Sequence, residues 1–361
     1  MNDAVTPSSA AFAPRRPDRL DGQAAALVFL AFAAAYFCST LLRAITATLA
    51  PALTQEFALQ ARDLGLLAGG YFLGFAAVQL PLGTWLDRHG PKRVILWFLS
   101  LAVLGCLAFS AAGSFAGLLA ARVLVGMGVG ACLMAALTGY RRWFPAATLL
   151  RANSWMLMTG SLGMLASTLP VQWLMPLTGW RPLFWLLAML IVLSMGVIAW
   201  VVPGWRQADA PAPGMSGAAG ESGYGPVWRS RYFRRLAPLG FFNYGGMVAV
   251  QTLWAGPWLN KVAGYTLLES ATGLFCINAS MLVTFWSWGM VNPYLARNGW
   301  PATRLIAWGV PLSLAVLAFN TWAGSATGWP GWALFCMTSS VLGLAQPAVG
   351  MSFNAALAGR A

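Results

Sequence analysis

The sequence predicts an all-α, polytopic membrane protein. Three observations carry that prediction: hydrophobic residues fill 59% of the 361 positions, charged residues only 9%, and the apolar residues come in unbroken runs. A mean hydropathy of +0.67 exceeds what a water-exposed globular surface tolerates. Charge-free stretches such as Ala24 to Leu42, Leu64 to Leu86 and Leu236 to Asn260 reach the roughly 20 residues that a helix needs to cross a hydrocarbon core. Barrel strands would be half as long and alternating in polarity. The helix is left as the spanning form that satisfies its own backbone groups.

With charges, Pro and Gly as breaks, ten spans are predicted, at 24–48, 62–86, 94–112, 116–139, 152–175, 182–203, 236–259, 269–294, 303–323 and 330–357. The first exceeds a signal-peptide core and is followed by many more, so it reads as a retained helix. Sorting Lys and Arg into the alternate compartments these spans create gives a strong asymmetry. One side takes 17 of the 22, the other takes Arg62, Arg181 and Lys261, and Arg43 and Arg122 stay within spans. The richer side reads as cytoplasmic, with both chain ends inside, as expected for a bacterial inner-membrane protein. Trp85, Trp97, Trp143, Trp180, Trp200, Trp205, Trp300 and Trp329 fall near span ends, where an interfacial aromatic belt is expected.

The net charge of +13 follows this topology and forms no recognition patch, so nucleic acid is not an expected partner. The five cysteines are odd in number, lie in apolar segments and lack metal-ligand spacing, and His89 is the single histidine. No metal, no cofactor and no catalytic pair is expected; the chain does not read as an enzyme.

Residues 204–235 are rich in Pro, Gly, Ser and Ala and end in the basic run Arg229 to Arg235. They divide the chain into a cytoplasmic arm (1–23), a six-span half (24–203), a cytoplasmic linker (204–235) and a four-span half (236–361). Leu86-Asp-Arg88-His-Gly90 and Leu295-Ala-Arg297-Asn-Gly299 form a weak internal repeat, and two related halves are an organisation that many secondary transporters share.

The strongest local motif is Gly83-Thr-Trp-Leu-Asp87-Arg88-His-Gly90-Pro-Lys92-Arg93, between the second and third spans. Arg122-Val-Leu-Val-Gly126-Met-Gly128-Val-Gly130 in the fourth span and Gly179-Trp-Arg181 before the sixth accompany it. Together these resemble the signature loop and helix motifs of the major facilitator superfamily. The resemblance implies a carrier whose halves rock about a central site, with the loop of Gly83, Asp87, Arg88, Gly90, Lys92 and Arg93 latching them. Family members normally have twelve spans, so helices 11 and 12 are expected to be absent here. A truncated, non-transporting remnant or membrane scaffold is therefore one alternative. The fifth span lacks the Gly-Pro-x-x-Gly-Gly pattern of drug-proton antiporters, which leaves a proton-coupled exporter of drug-like solutes as a lesser alternative.

All nine acidic residues fall in predicted loops or at span ends. A carrier of cations or protons usually keeps an intramembrane acid. Arg43 and Arg122 point instead to a small organic or inorganic anion, since a guanidinium suits two-point contact with an oxyanion. Tyr36, Ser39, Thr40, Arg43 and Thr46 share a helical stripe. On the seventh span, Tyr244, Gln251 and Trp254 share a face. The expected substrate site is Arg43, Tyr36, Thr40, Arg122, Tyr244, Gln251 and Trp254; a coupling ion and the lipid bilayer are the other partners. Structural readings stand beside these: Arg43 snorkels to an interface, Arg122 fixes helix packing, and the seventh-span polar groups bond neighbouring helices. Gly65, Gly69, Gly70 and Gly74 read as packing residues.

Overall fold

The structure, a computed structural model, describes residues 20–204 and 229–344. Most of the predicted arm, most of the linker, Trp205, and the end of the tenth span with Gln346 lie outside the described residues. Among the described residues all regular structure is helical. Six helices, Gly22–Phe57, Ala61–Ala111, Phe115–Trp143, Trp180–Val201, Leu267–Trp288 and Ala302–Leu344, are long and apolar enough to cross a membrane.

Helix α1 (Gly22–Phe57) starts where the Asp21 carboxylate accepts the Ala24 N–H at 2.9 Å, a side-chain cap for an otherwise orphan donor. Helix α2 (Ala61–Ala111) begins with a reciprocal cap between Gln60 and Asp63. Its 51 residues would run roughly 76 Å if straight, far beyond a bilayer. It folds back instead at Gly90, where φ 76° and ψ 162° suit a residue without Cβ and Pro91 follows. The predicted second and third spans are its two arms.

Helices α3 (Phe115–Val129) and α4 (Cys132–Trp143) share the fourth span. Helix α3 packs on both arms of α2 through glycines. A Cβ on Gly74 would strike the Val123 carbonyl, one on Gly126 the Tyr71 carbonyl, and one on Gly128 the Ala102 backbone. The predicted fifth span is two helices, α5 (Ala146–Ala166) and α6 (Leu169–Thr178). Pro170 explains the break, since it has no N–H for a carbonyl one turn back, and Ser167 and Thr168 turn their hydroxyls to carbonyls of that last turn at 2.7 and 2.6 Å. Gly160 and Gly163 of α5 bed against Tyr36 and Thr40 of α1.

Helix α7 (Trp180–Val201) is pinned at its start. Trp180 Nε1 donates to Glu56 at 2.6 Å, and Arg181 donates to the other Glu56 oxygen at 2.5 Å and to the Ala112 carbonyl at 3.2 Å. The Trp180 ring also meets Phe57 and Phe109. Trp143 and Trp180 are therefore buried and serve as packing groups, unlike the exposed Trp85, Trp97, Trp200 and Trp300.

The predicted seventh span is interrupted twice. Helix α8 (Arg231–Leu239) runs into a π-helical turn, Gly240–Tyr244; α9 (Gly245–Ala249) follows, then a second π turn, Val250–Trp254, then α10 (Ala255–Lys261). Both π turns hold an amide drawn sideways to another helix: Asn243 to Ser313 at 2.7 Å and Gln251 to Asn278 at 2.8 Å. Helices α11 (Leu267–Arg297), α12 (Ala302–Ala323) and α13 (Gly328–Ser339) follow, with 3-10 turns at Gly324–Thr327 and Ser340–Leu344.

Two main cores result. One runs from Val28 to Val202 and takes in Leu253; the other gathers Met247, Leu274, Ile277, Trp332 and Phe335 and takes in Ala47. Each core thus borrows one residue from the other group of helices, at the contact of α1 with the second π turn and α10.

Candidate functional site

Helix α1 carries most of the candidate side chains, and its neighbours decide what each does. Tyr36 is buried against Gly160. Thr40 returns its hydroxyl to the Tyr36 and Phe37 carbonyls at 3.2 and 3.1 Å and beds on Gly163. Thr40 therefore faces α5 and has no donor left for a solute. Because 100° per residue does not close on itself over three turns, the predicted stripe fans out over an arc.

The two intramembrane arginines diverge. Arg122 is 1% exposed. Its Nη1 donates to the Leu42 carbonyl at 3.0 Å, its Nη2 to Thr46 Oγ1, and its Cζ lies 5.2 Å from the Tyr71 ring centre. Tyr71 in turn donates to the Ser39 carbonyl at 3.3 Å. These contacts bind α3 and α2 to α1, the structural reading of Arg122.

Arg43 lies one residue beyond the carbonyl that Arg122 holds, yet it is only half-buried. Its Cζ stacks 5.6 Å from the Phe75 ring centre, and its buried Nε has no hydrogen-bond partner. Tyr36, Tyr71 and Tyr244 all lie within range of its charge. Arg181 pairs with Glu56, whereas Arg43 meets no carboxylate among the described residues. The guanidinium thus lies over one ring and among three tyrosines, with no acidic group of the described residues beside it.

On the opposite side the structure brings Tyr244 to this group and not the other two candidates. Gln251 is spent on Asn278, and Trp254 lies 3.6 Å from where a Gly65 Cβ would be, nearer the end of the bundle that carries Glu56. Tyr71 and Phe75, which the sequence reading did not single out, lie beside Arg43 and join the candidate group. Their spacing of four in the second span, next to the glycines, was the available signal.

In the motif loop, Lys92 donates to the Val202 carbonyl at 2.7 Å, capping the end of α7. Asp87, Arg88 and Arg93 are exposed, as is Gly83. The acidic groups Asp21, Glu56, Asp63 and Glu269 sit at helix ends, and no cluster of His, Cys, Asp or Glu able to hold a metal occurs among the described residues.

The model of the Major Facilitator Superfamily matches residues 32–361. The chain is 26% identical over 254 residues to a probable sulfoacetate transporter, SauU, of Cupriavidus necator, covering 65% of this chain and 57% of that protein. It is 31% identical over 150 residues to the 4-hydroxybenzoate transporter PcaK of Pseudomonas aeruginosa, covering 42% of this chain and 33% of that protein. The chain thus spans well under two thirds of these relatives' length. Among solved structures, a bacterial homolog of the human lysosomal transporter Spinster, inward-facing and unoccupied, superposes with a TM-score of 0.74 at 18% identity, over 94% of this chain and 78% of that one.

Proposed function

Because the chain belongs to the Major Facilitator Superfamily, we propose that it is a secondary carrier of a small organic anion in the bacterial cytoplasmic membrane, working by alternating exposure of a central site. Arg43 is the observation that carries this reading: a cation inside the bundle, stacked on Phe75 and close to three tyrosines, with no acidic partner among the described residues. An unpaired Arg within a span costs roughly 2.5 to 3.5 kcal/mol on insertion scales, and a bound oxyanion would repay that cost. Sulfoacetate and 4-hydroxybenzoate, named for two relatives, are both acids, which supports the anionic class.

In this reading Arg43 holds the oxyanion, Tyr36 and Tyr244 offer hydroxyls around it, Tyr71 stays bonded to the Ser39 carbonyl, and Arg122 positions α1 without touching solute. With the basic loops inside, the Glu56 end faces the periplasm and the Gly90 turn faces the cytoplasm. The close packing of α1 with α10 then closes the periplasmic side. Differential binding between the two states, and no covalent step, would drive exchange.

Thermal stability of the purified protein and of Arg43→Ala against small carboxylates, sulfonates, sugars and cationic drugs tests this. A ligand at a hundred times its Kd adds about 2.7 kcal/mol. An acid that stabilises the parent and not Arg43→Ala is the expected result. Response to neutral or cationic compounds alone, or equal response of the variant, would overturn it.

A further inference from the structure

A small cavity lies in the contact that closes the Glu56 end, away from Arg43. Its volume is about 10 Å³, and Thr48, Gln172, Asn260, Ser270 and Leu274 line it together with Pro51 and Gly256. That is about the room for one water molecule. Residues of α1 and α6 form one wall and residues of α10 and α11 the other, so the cavity straddles the two groups of helices.

Its lining is mostly apolar, with a few polar groups among it, of which Thr48 already donates to the Ser167 carbonyl at 2.7 Å. Ser270 is 7% exposed and its buried hydroxyl has no partner, whereas most helical hydroxyls here, such as Thr252, Thr272 and Thr284, bond back to their own helix. Asn260 uses its Nδ2 on the Tyr265 carbonyl at 2.8 Å and keeps Oδ1 as an acceptor. Pro51 lies within α1 and has no N–H, so the Ala47 carbonyl lacks its normal donor one turn on. Gly256 comes so close to that carbonyl that an added Cβ would sit 2.8 Å from it. Ala47, whose carbonyl lacks its usual helical donor, and Ser270, whose buried hydroxyl has no partner, both line one water-sized space.

We infer that this closure holds one structural water, donating to the Ala47 carbonyl, hydrogen-bonded to Ser270 Oγ and within reach of Gln172 and Asn260, and that this water bridges the two groups of helices as a releasable latch. All its partners are neutral, which favours water over a cation or an anion. A trapped water suits a contact that must part repeatedly. When the closure opens, bulk water replaces the bridge at the same groups, so no buried donor or acceptor is stranded in either state.

The test places a reporter cysteine at Ala271, which is buried beside the cavity, and measures labelling by a membrane-impermeant maleimide without substrate. Ser270→Ala should raise the labelling rate about fivefold, the effect of losing one net hydrogen bond. Ser270→Thr, which keeps the hydroxyl, should label at the parent rate. Pro51→Ala returns an N–H to the Ala47 carbonyl and should also speed labelling. A solved structure of the protein closed at this end should show density within hydrogen-bond distance of Ser270 Oγ. A dry cavity, Ser270→Ala labelling at the parent rate, or Ser270→Thr labelling as fast as Ser270→Ala would each overturn the inference. The water needs no substrate to be detected, so its absence would leave the anion proposal standing, and a failure of anion binding would leave the water.

Discussion

Two helix contacts in this molecule use the same device and differ in what surrounds it. Where α2 meets α3, glycines let backbone touch backbone at Gly74, Gly126 and Gly128, and Arg122 ties the neighbouring α1 to the pair. Where α1 meets α10, Gly256 again brings backbone to backbone, at Ala47, but a small cavity and an unpartnered hydroxyl lie beside it. The first contact is strapped by a buried cation whose two terminal nitrogens are bonded to α1, though its Nε has no partner; the second is shared between two cores. Close approach alone does not make a contact permanent. What decides is whether the polar groups at its edge are satisfied by fixed protein partners or by something that water can replace.

The comparison breaks first if the α2–α3 contact tolerates bulk. Gly126→Leu drives a side chain into the Tyr71 carbonyl, and a backbone atom cannot give way as a rotamer can. The expected cost is about 3 kcal/mol or more, seen as loss of folded protein in detergent. Next is Arg122→Ala, which removes donors from Leu42 and Thr46. It should lower stability by about 2 kcal/mol, whereas Arg43→Ala should cost about 1 kcal/mol, one cation–π contact, and abolish stabilisation by anions. Equal losses of stability in the two arginine variants would erase the distinction between strap and site.

That distinction marks the limit of what the sequence discloses. The apolar runs announce the spans, and Gly70 and Gly74 at a spacing of four announce a close contact, because both signals are local. Arg43 and Arg122 look alike in sequence, each a cation in an apolar run. Their roles separate only through partners on other helices: the Leu42 carbonyl and Thr46 for one, Phe75 for the other. The same holds for Trp180, which reads as an interfacial anchor until Glu56 arrives from 124 positions away. The π turns in 240–254 are also illegible, since the amides that pull them aside find their partners on α11 and α12. For Gln251, the sequence left wall and interhelical bond equally open, and the bond to Asn278 supports the second.

The closing contact offers the sharper tests. Gly256→Leu places a side chain between the Ala47 carbonyl and Leu274. If this contact is built to part, the protein should remain folded and shift toward the form open at the Glu56 end. Labelling of a cysteine at Ala271 should then rise about tenfold, equivalent to roughly 1.4 kcal/mol, with little change in melting temperature. An unfolded product would mean that the contact is as permanent as that of α2 with α3. The smallest effect is expected at Gln251→Leu. It removes one interhelical amide bond to Asn278, worth about 0.6 kcal/mol in membrane proteins on average, because Asn278 still donates to the Leu274 carbonyl of its own helix. If anion binding persists in Gln251→Leu while it is lost in Arg43→Ala, the solute is held by the α1 group and the second π turn serves packing alone. If binding falls equally in both, the α1 group alone does not hold the solute, and the second π turn belongs to the site as one of its walls.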